Sequence, residues 1–205
     1  MRQIYPASGP EVTADEPGGA REAAGLLAGL YAYPPGISPG RPWVRANMIA
    51  SADGASELEG VSGGLGGPAD RILFGVQRSL ADVILVGAGT ARAEKYRPAR
   101  SSPLLASLRQ DRAPTAPIAV LSARLDLDPD APLLTQAPAD ARTIVLTTEA
   151  APAERRAAVA RHAQVIVAGN SNYRNCINSR WSDYTCSGQL GGPLSCLRGF
   201  KHYGH

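Results

Sequence analysis

The feature that most constrains the fold is an alternation of short apolar segments with helical ones. Residues 83–86 read Val-Ile-Leu-Val, a continuous apolar run typical of a strand buried on both faces. The preceding residues 68–81 carry an apolar stripe at helical spacing and begin with a proline, which suits a first helical turn. Strands that alternate with helices predict an α/β fold with a largely parallel sheet. The other predicted strands are 43–50, 117–121, 143–148 and 164–168, and the other predicted helices are 21–33 and 152–162.

Composition limits the class of protein. A chain of 205 residues with 44% hydrophobic and 19% charged residues is long enough to bury a core and is typical of a soluble globular protein. No apolar run approaches the roughly 18 residues of a membrane span, and the first residues lack the apolar core of a signal peptide. We therefore expect a cytoplasmic protein without a membrane partner. Aromatic residues at 5% argue against a protein that stacks single-stranded bases.

The chain changes character near residue 170. Residues 171–205 contain no Ala, Val or Glu, yet they hold all three cysteines, Cys176, Cys186 and Cys196. They also supply the whole net charge of +3, so a basic nucleic-acid-binding face on the main domain is not expected. We divide the chain into an N-terminal arm with a short helix (1–40), a main domain (41–170) and an atypical tail (171–205) that is frameshifted or foreign. The cysteine spacing lacks a close pair, so no metal site is predicted.

Two glycine-rich segments follow predicted strands, where parallel sheets bind ligands. One is 51–67 with six glycines, which cannot be regular throughout, and the other is Gly87-Ala88-Gly89-Thr90. Arg92 breaks the dinucleotide pattern GxGxxG, and no phosphate-binding GxxxxGK[ST] occurs. The segments therefore fit either close approach to a ligand or simple tight turns.

Basic residues gather near the second segment. Arg78 lies on the predicted helix 68–81, and Lys95, Arg97 and Arg100 follow Thr90 in a loop or short helix. Guanidinium groups suit a phosphorylated ligand, although a solvated basic loop would look the same. His162, at the end of a predicted helix, is expected to be structural.

Several of these segments together resemble one family. The run Arg41 to Gly54, which ends Ser51-Ala52-Asp53-Gly54, is similar to the first strand of the pyrimidine reductases of riboflavin biosynthesis. Gly60-Val61-Ser62, Gly67 to Arg71 and Ala81 to Glu94 follow in the family's order, and Leu30 to Pro34 resembles stand-alone actinobacterial-type members. The resemblance covers about residues 21–169. It implies a dihydrofolate-reductase-like α/β fold, incomplete here if the tail is foreign.

The resemblance also implies roles for individual residues. It places Asn47, Ser51 and Asp53 where nicotinamide meets the pyrimidine, as the catalytic set. It implies that Ser62, Arg78 and Arg100 bind substrate, the arginines through its phosphate. The cofactor-binding residues that it implies are Gly64, Gly87, Gly89, Thr90, Glu94 and Ser122.

The implied reaction is hydride transfer from NADPH to 5-amino-6-(5-phosphoribosylamino)uracil, giving the ribitylamino product. Such chemistry depends on positioning more than on a strong acid or base. The resemblance further implies a homodimer if the C-terminal region is intact. Two mild departures are Ala52 for Leu and Glu94 for Asp; the larger one is the tail, where Gln189 to Leu194 matches the family's Glu-Gly-Gly-Pro-Thr-Leu turn in part.

Three alternatives stay open at this point. One is a dihydrofolate or pterin reductase of the same fold, which would not require phosphate ligands at Arg78 and Arg100. Another is an inactive, truncated nucleotide-binding fragment, suggested by the tail. The third, a nucleic-acid binder, rests on the tail's charge alone.

Overall fold

The computed structural model describes Glu11, residues 19–34, residues 42–168 and the backbone of one strand at 195–199. The strands are β1 (Trp43–Ala46), β2 (Val83–Gly87), β3 (Ile118–Leu121), β4 (Ile144–Thr147), β5 (Gln164–Val167) and β6 (Ser195–Gly199). The helices are α1 (Gly19–Leu30), α2 (Pro68–Leu80), α3 (Ala88–Ala93), α4 (Pro132–Thr135) and α5 (Ala153–Ala160). Two short 3-10 turns lie at Ala106–Arg109 and Ala139–Ala141.

The strands form one sheet in the order β1-β6-β2-β3-β4-β5, and each pairing between them is parallel. This confirms the predicted α/β class. The chain skips one position between β1 and β2, and β6 returns to fill it. Open parallel sheets place their ligands beyond the carboxyl ends of their strands.

Strand β6 comes from the segment that the sequence separates as a tail. Val44 and Val83 both pair with Cys196, and Arg45 and Ile84 both pair with Leu197. The segment at 195–199 thus bridges β1 and β2. Cys176, Cys186 and the run from Gln189 to Leu194 lie outside the described residues, as does most of the N-terminal arm.

Alternate residues of the central strands enter two apolar clusters, because successive side chains of a strand point to opposite faces. Ile84, Val86 and Ile118 pack with Ala91 of α3 and Val159 of α5. Val83 and Leu85 pack in a second cluster with Ile144 and Leu146. Both sets are buried, as the unbroken apolar runs predict.

Helix α1 packs on α2 through small residues. Ala23, Ala24 and Leu27 are buried against Val76. The apolar spacing in the sequence predicts one face formed by Leu26, Leu27, Leu30 and Tyr31, and this is partly wrong, since Leu26 and Leu30 are 41% and 45% exposed. The two alanines bring the backbones of the helices together, so the buried face is centred on them and on Leu27 rather than on all the leucines.

The first strand is also shorter than predicted, since it ends at Ala46 rather than at residue 50. Its pairing with β6 ends at Ala46 and Arg198. Without a further partner the backbone leaves the ladder, and Asn47 to Ala50 line a cavity instead. None of the helices within the described residues is long and apolar enough to span a membrane.

Candidate active site

A cavity of about 780 Å³ lies at the carboxyl ends of β1 and β2. Its walls come from four places in the chain: the segment after β1, the glycine-rich loop, α2, and α3 with the residues that follow it. It is lined by Asn47, Met48, Ile49, Ala50, Ser56, Ser62, Gly63, Gly66, Asp70, Arg71, Phe74, Arg78, Thr90, Glu94, Lys95, Tyr96 and Arg97. A volume of this size is in the range of small-molecule sites.

The cavity brings together five of the residues to which the family resemblance assigns catalytic or binding roles. Asn47 follows β1, Ser62 lies in the glycine-rich loop, Arg78 lies on α2, and Thr90 and Glu94 belong to α3 and its end. They are up to 47 positions apart in the chain and meet because β1 and β2 are parallel and end at the same edge.

Ser51 and Asp53 lie in a tight turn outside the cavity lining. The Ser51 hydroxyl donates to the Asp53 carboxylate and accepts from the amide of Ala55 at 3.0 Å. The bond from Ser51, together with the amide of Ala55, lowers the pKa of the exposed Asp53 carboxyl. Gly54 closes the turn with a φ of +90°, a conformation that favours glycine.

The other predicted residues lie around the cavity or away from it. Gly64 contacts Leu58, Gly87 precedes α3 and Gly89 lies within it. Ser122 is buried at the end of β3, where its amide donates to the carbonyl of Leu146 at 2.9 Å. Arg100 lines a separate cavity of about 100 Å³, which shares Arg78 with the main one.

Glu94 holds the glycine-rich loop against α3. Its Oε1 accepts from the Ser62 amide at 2.9 Å and from the Ser62 hydroxyl at 2.8 Å. Hydrogen bonds to a carboxylate are stronger than neutral ones, so the pair fixes this wall of the cavity. Hydrogen bonds thus connect Ser62, which was predicted to bind substrate, with Glu94, which was predicted to bind the cofactor.

Sequence reasoning missed several side chains that line this cavity, among them Asp70, Phe74 and Tyr96. Phe74 precedes Arg78 by one helical turn, so the spacing on the predicted helix was the available signal. Tyr96 reaches the cavity because α3 ends in a Schellman motif, in which Tyr96 N–H donates to Ala91 at 2.9 Å and Lys95 N–H to Arg92 at 3.1 Å. That motif requires a positive φ at Lys95, which is +48°.

Two arginines near the C-terminus of α2 have a structural role. Arg109 is 5% exposed and donates to the carbonyls of Ser79, Ala81 and Ala113 at 3.1, 2.5 and 2.8 Å. Arg112 donates to the carbonyl of Leu80 at 2.8 Å and pairs with Asp82 at 3.0 Å. Carbonyls at the end of a helix lack intrahelical partners, and these bonds supply them. Burial lowers the pKa of Arg109, and the nearby Arg112 cation adds to that effect.

The described part of the chain holds no cluster of three or more His, Cys, Asp or Glu placed to bind a metal ion. The site instead combines hydroxyl, amide, carboxylate and guanidinium groups around an open cavity. Fold and site together define an α/β domain with a polar cavity of small-molecule size at the strand ends.

Comparison with known proteins gives the family. The model of the RibD C-terminal domain matches residues 42–178. The chain therefore belongs to the RibD C-terminal domain family, the pyrimidine reductases of riboflavin biosynthesis, and the resemblance seen in the sequence is confirmed. Its family is one of oxidoreductases.

Solved structures agree with this assignment. A pyrimidine reductase-like protein from Corynebacterium diphtheriae is 28% identical with a TM-score of 0.68, covering 85% of this chain and 72% of that one. RibD from Acinetobacter baumannii is 18% identical with a TM-score of 0.54, covering 80% of this chain and 41% of that one, and it shows likeness of fold. The chain thus spans less than half of the Acinetobacter protein. No curated protein matches it significantly.

Proposed function

We propose that this chain reduces 5-amino-6-(5-phosphoribosylamino)uracil with NADPH, giving the ribitylamino product. The observation that carries the proposal is the convergence of Asn47, Ser62, Arg78, Thr90 and Glu94 on one cavity at the carboxyl ends of β1 and β2. Family membership supports the class of reaction, and the cationic Arg78 favours a phosphorylated substrate over a dihydrofolate or pterin.

The residues present fit a dinucleotide cofactor by their chemistry. Thr90 offers a hydroxyl at the start of α3, and Gly63 and Gly66 allow the backbone to approach a ring or phosphate closely. When bound, NADPH would supply the hydride. The chain itself would hold both partners: Thr90 on the cofactor side, Arg78 on the substrate phosphate, and Asn47 between them.

The link between Ser62 and Glu94 gives a reason for their places in this proposal. The carboxylate holds the loop that carries Ser62, so the substrate side and the cofactor side keep a fixed spacing. Hydride transfer depends strongly on such spacing. The proposal also includes a cytoplasmic location and a homodimer. Sedimentation of the purified chain would test the homodimer.

The first test is fluorescence titration of the whole chain with NADPH and with NADH. We expect micromolar NADPH binding, and Thr90→Val should weaken it about tenfold through loss of one hydrogen bond. The control is Thr135→Val, an exposed threonine on α4 that bonds the carbonyl of Ala131. Retained affinity in Thr90→Val would contradict the assignment of Thr90.

Turnover separates the candidate substrates. Purified chain with NADPH should reduce the phosphoribosylamino pyrimidine and leave dihydrofolate unchanged. The reverse preference would favour the folate alternative. NADPH binding without any turnover would favour the inactive nucleotide-binding fragment.

A further inference from the structure

The guanidinium of Arg78 lies close to two aromatic rings in the cavity. Its Cζ is 4.8 Å from the ring centroid of Phe74 and 5.9 Å from that of Tyr96. Both distances fall within the range in which a cation is attracted to the face of a ring. The rings come from different parts of the fold, so α2 and the end of α3 meet at this guanidinium.

Local structure sets both contacts. Phe74 and Arg78 are four residues apart on α2 and therefore share a helix face. Tyr96 is fixed by the Schellman motif of α3, and its ring packs against the core cluster that contains Ala91 and Val86. Neither ring depends on a ligand for its place.

Arg78 makes no ion pair with any carboxylate of the described residues. Burial lowers the pKa of its guanidinium, and the nearby Tyr96 phenol opposes that shift. A guanidinium has five N–H donors, and π contacts leave those in its plane available. A partly buried cation of this kind, without a counter-ion, is prepared to receive an anion.

We propose that Phe74 and Tyr96 are positioning residues that hold Arg78 in the orientation needed to bind the phosphate monoester of a pyrimidine nucleotide. The proposal rests on the proposed function for its substrate class. Phe74 is 37% exposed within the cavity, which is unusual for a phenylalanine whose contribution is to the core, and its contact with Arg78 accounts for its position.

The test is a double-mutant cycle on ligand binding, measured by calorimetry with the full chain. The probe is uridine 5′-monophosphate, with uridine as the ligand that lacks phosphate. Phe74→Leu should weaken binding of the monophosphate about fivefold and leave uridine unaffected, since the ring contact is worth about 1 kcal/mol. In an Arg78→Gln background, Phe74→Leu should have no further effect.

Conservative variants separate positioning from folding. Phe74→Tyr keeps a ring beside Arg78 and should bind the monophosphate like wild type, whereas Tyr96→Leu should weaken binding. The matched control is Arg97→Gln, another arginine of the cavity wall for which no ring contact is seen. The losses of monophosphate affinity caused by Arg97→Gln and Phe74→Leu should multiply in the double variant, as expected for two independent residues. Thermal melts establish that each variant is folded.

Three results would overturn the proposal. One is that the losses of monophosphate affinity caused by Phe74→Leu and by Arg78→Gln multiply in the double variant. Another is that Phe74→Leu weakens the binding of uridine as much as that of its monophosphate. The third is no measurable monophosphate binding by wild type. Absence of reductase turnover in wild type would contradict the proposed function, while the binding cycle would still decide the role of the rings.

Discussion

Gly66 has little space around it in the wall of the cavity. A Cβ at this position would meet the Asp70 carboxylate, with Asp70 Cγ at 3.1 Å and Ile49 Cδ1 at 3.4 Å. Asp70 and Ile49 both line the cavity, so the crowding would be transmitted to the site. At residue scale, any side chain at this position would force the Asp70 carboxylate to move.

We therefore expect Gly66→Ala to displace the Asp70 side chain and to weaken NADPH binding, with little loss of stability, because the end of an aspartate side chain can rotate away. The control for the unfolding measurement is Gly63→Ala in the same loop, where a Cβ would meet nothing within 4 Å. Urea unfolding and fluorescence titration measure the two effects. Equal behaviour of both variants would show that the loop adjusts freely.

The turn at residues 51–55 gives a prediction about pH. The hydrogen bond from Ser51 lowers the pKa of the Asp53 carboxyl from its ordinary value of 3.8. The ionised carboxylate therefore stabilises the turn at pH values above 3.8, and this stabilisation is lost as the pH falls through the lowered pKa. Ser51→Ala should raise the pKa of Asp53 toward 3.8, and Ser56→Ala should leave it unchanged. Carboxyl carbon shifts measured by NMR against pH would show this. An unchanged Asp53 titration in Ser51→Ala would contradict the role of the hydroxyl.

At the scale of elements, the end of α3 carries Tyr96 into the cavity at a cost in backbone strain. Lys95 has a φ of +48° at the position of the Schellman motif where glycine is preferred. The left-handed conformation is unfavourable for residues with a Cβ, and more so for β-branched ones.

Two substitutions of Lys95 should separate this strain from side-chain effects. Lys95→Gly should unfold at a temperature no lower than wild type, whereas Lys95→Val should lose about 1 kcal/mol. Thermal melts compare them, and Lys95→Gln is the control that removes charge alone. A more stable valine variant would mean that α3 does not end in the motif described.

The ends of α2 and α5 offer a comparison between a buried and an exposed arginine. Arg109 and Arg142 each donate to three carbonyls, those of Arg142 being Ala160, Arg161 and His162. Arg109→Met should cost about 3 kcal/mol because it leaves buried carbonyls without donors. Arg142→Met, at an exposed site, should cost less than about 1 kcal/mol. Urea unfolding measures both, and equal losses would contradict the importance of burial at Arg109.

At the scale of the molecule, the sheet depends on β6, because this strand pairs with both β1 and β2. The cavity lies over the ends of those two strands, so its shape depends on the same strand. A segment of unusual composition thus occupies a central position in the sheet.

A chain ending at Leu194 should therefore melt at a lower temperature than a chain ending at Gly199, because it lacks β6. Hydrogen exchange should also become faster at Val44 and Ile84, which β6 neighbours. Equal melting and exchange in both truncations would show that β1 and β2 hold together without it.

The sequence by itself determined the α/β class, the family, and the order of the strands β1 to β5 with helices α1, α2 and α5, but it did not predict α4 or β6. These follow from local patterns: buried strands read as apolar runs, and helices carry periodic stripes with a proline at the start of α2. Residues at the strand ends, such as Thr90, could be selected as site candidates because ligands bind there.

Only the tertiary structure decided which candidates meet. The extent of β1 depends on its partner β6, the buried face of α1 depends on its packing against α2, and both were predicted incorrectly in part. The bonds from Ser62 to Glu94 join positions 32 residues apart, and the contact of Arg78 with the Tyr96 ring joins positions 18 residues apart. Short-range periodicity carries no information about such contacts, because they arise from the way parallel strands and their loops come together in space.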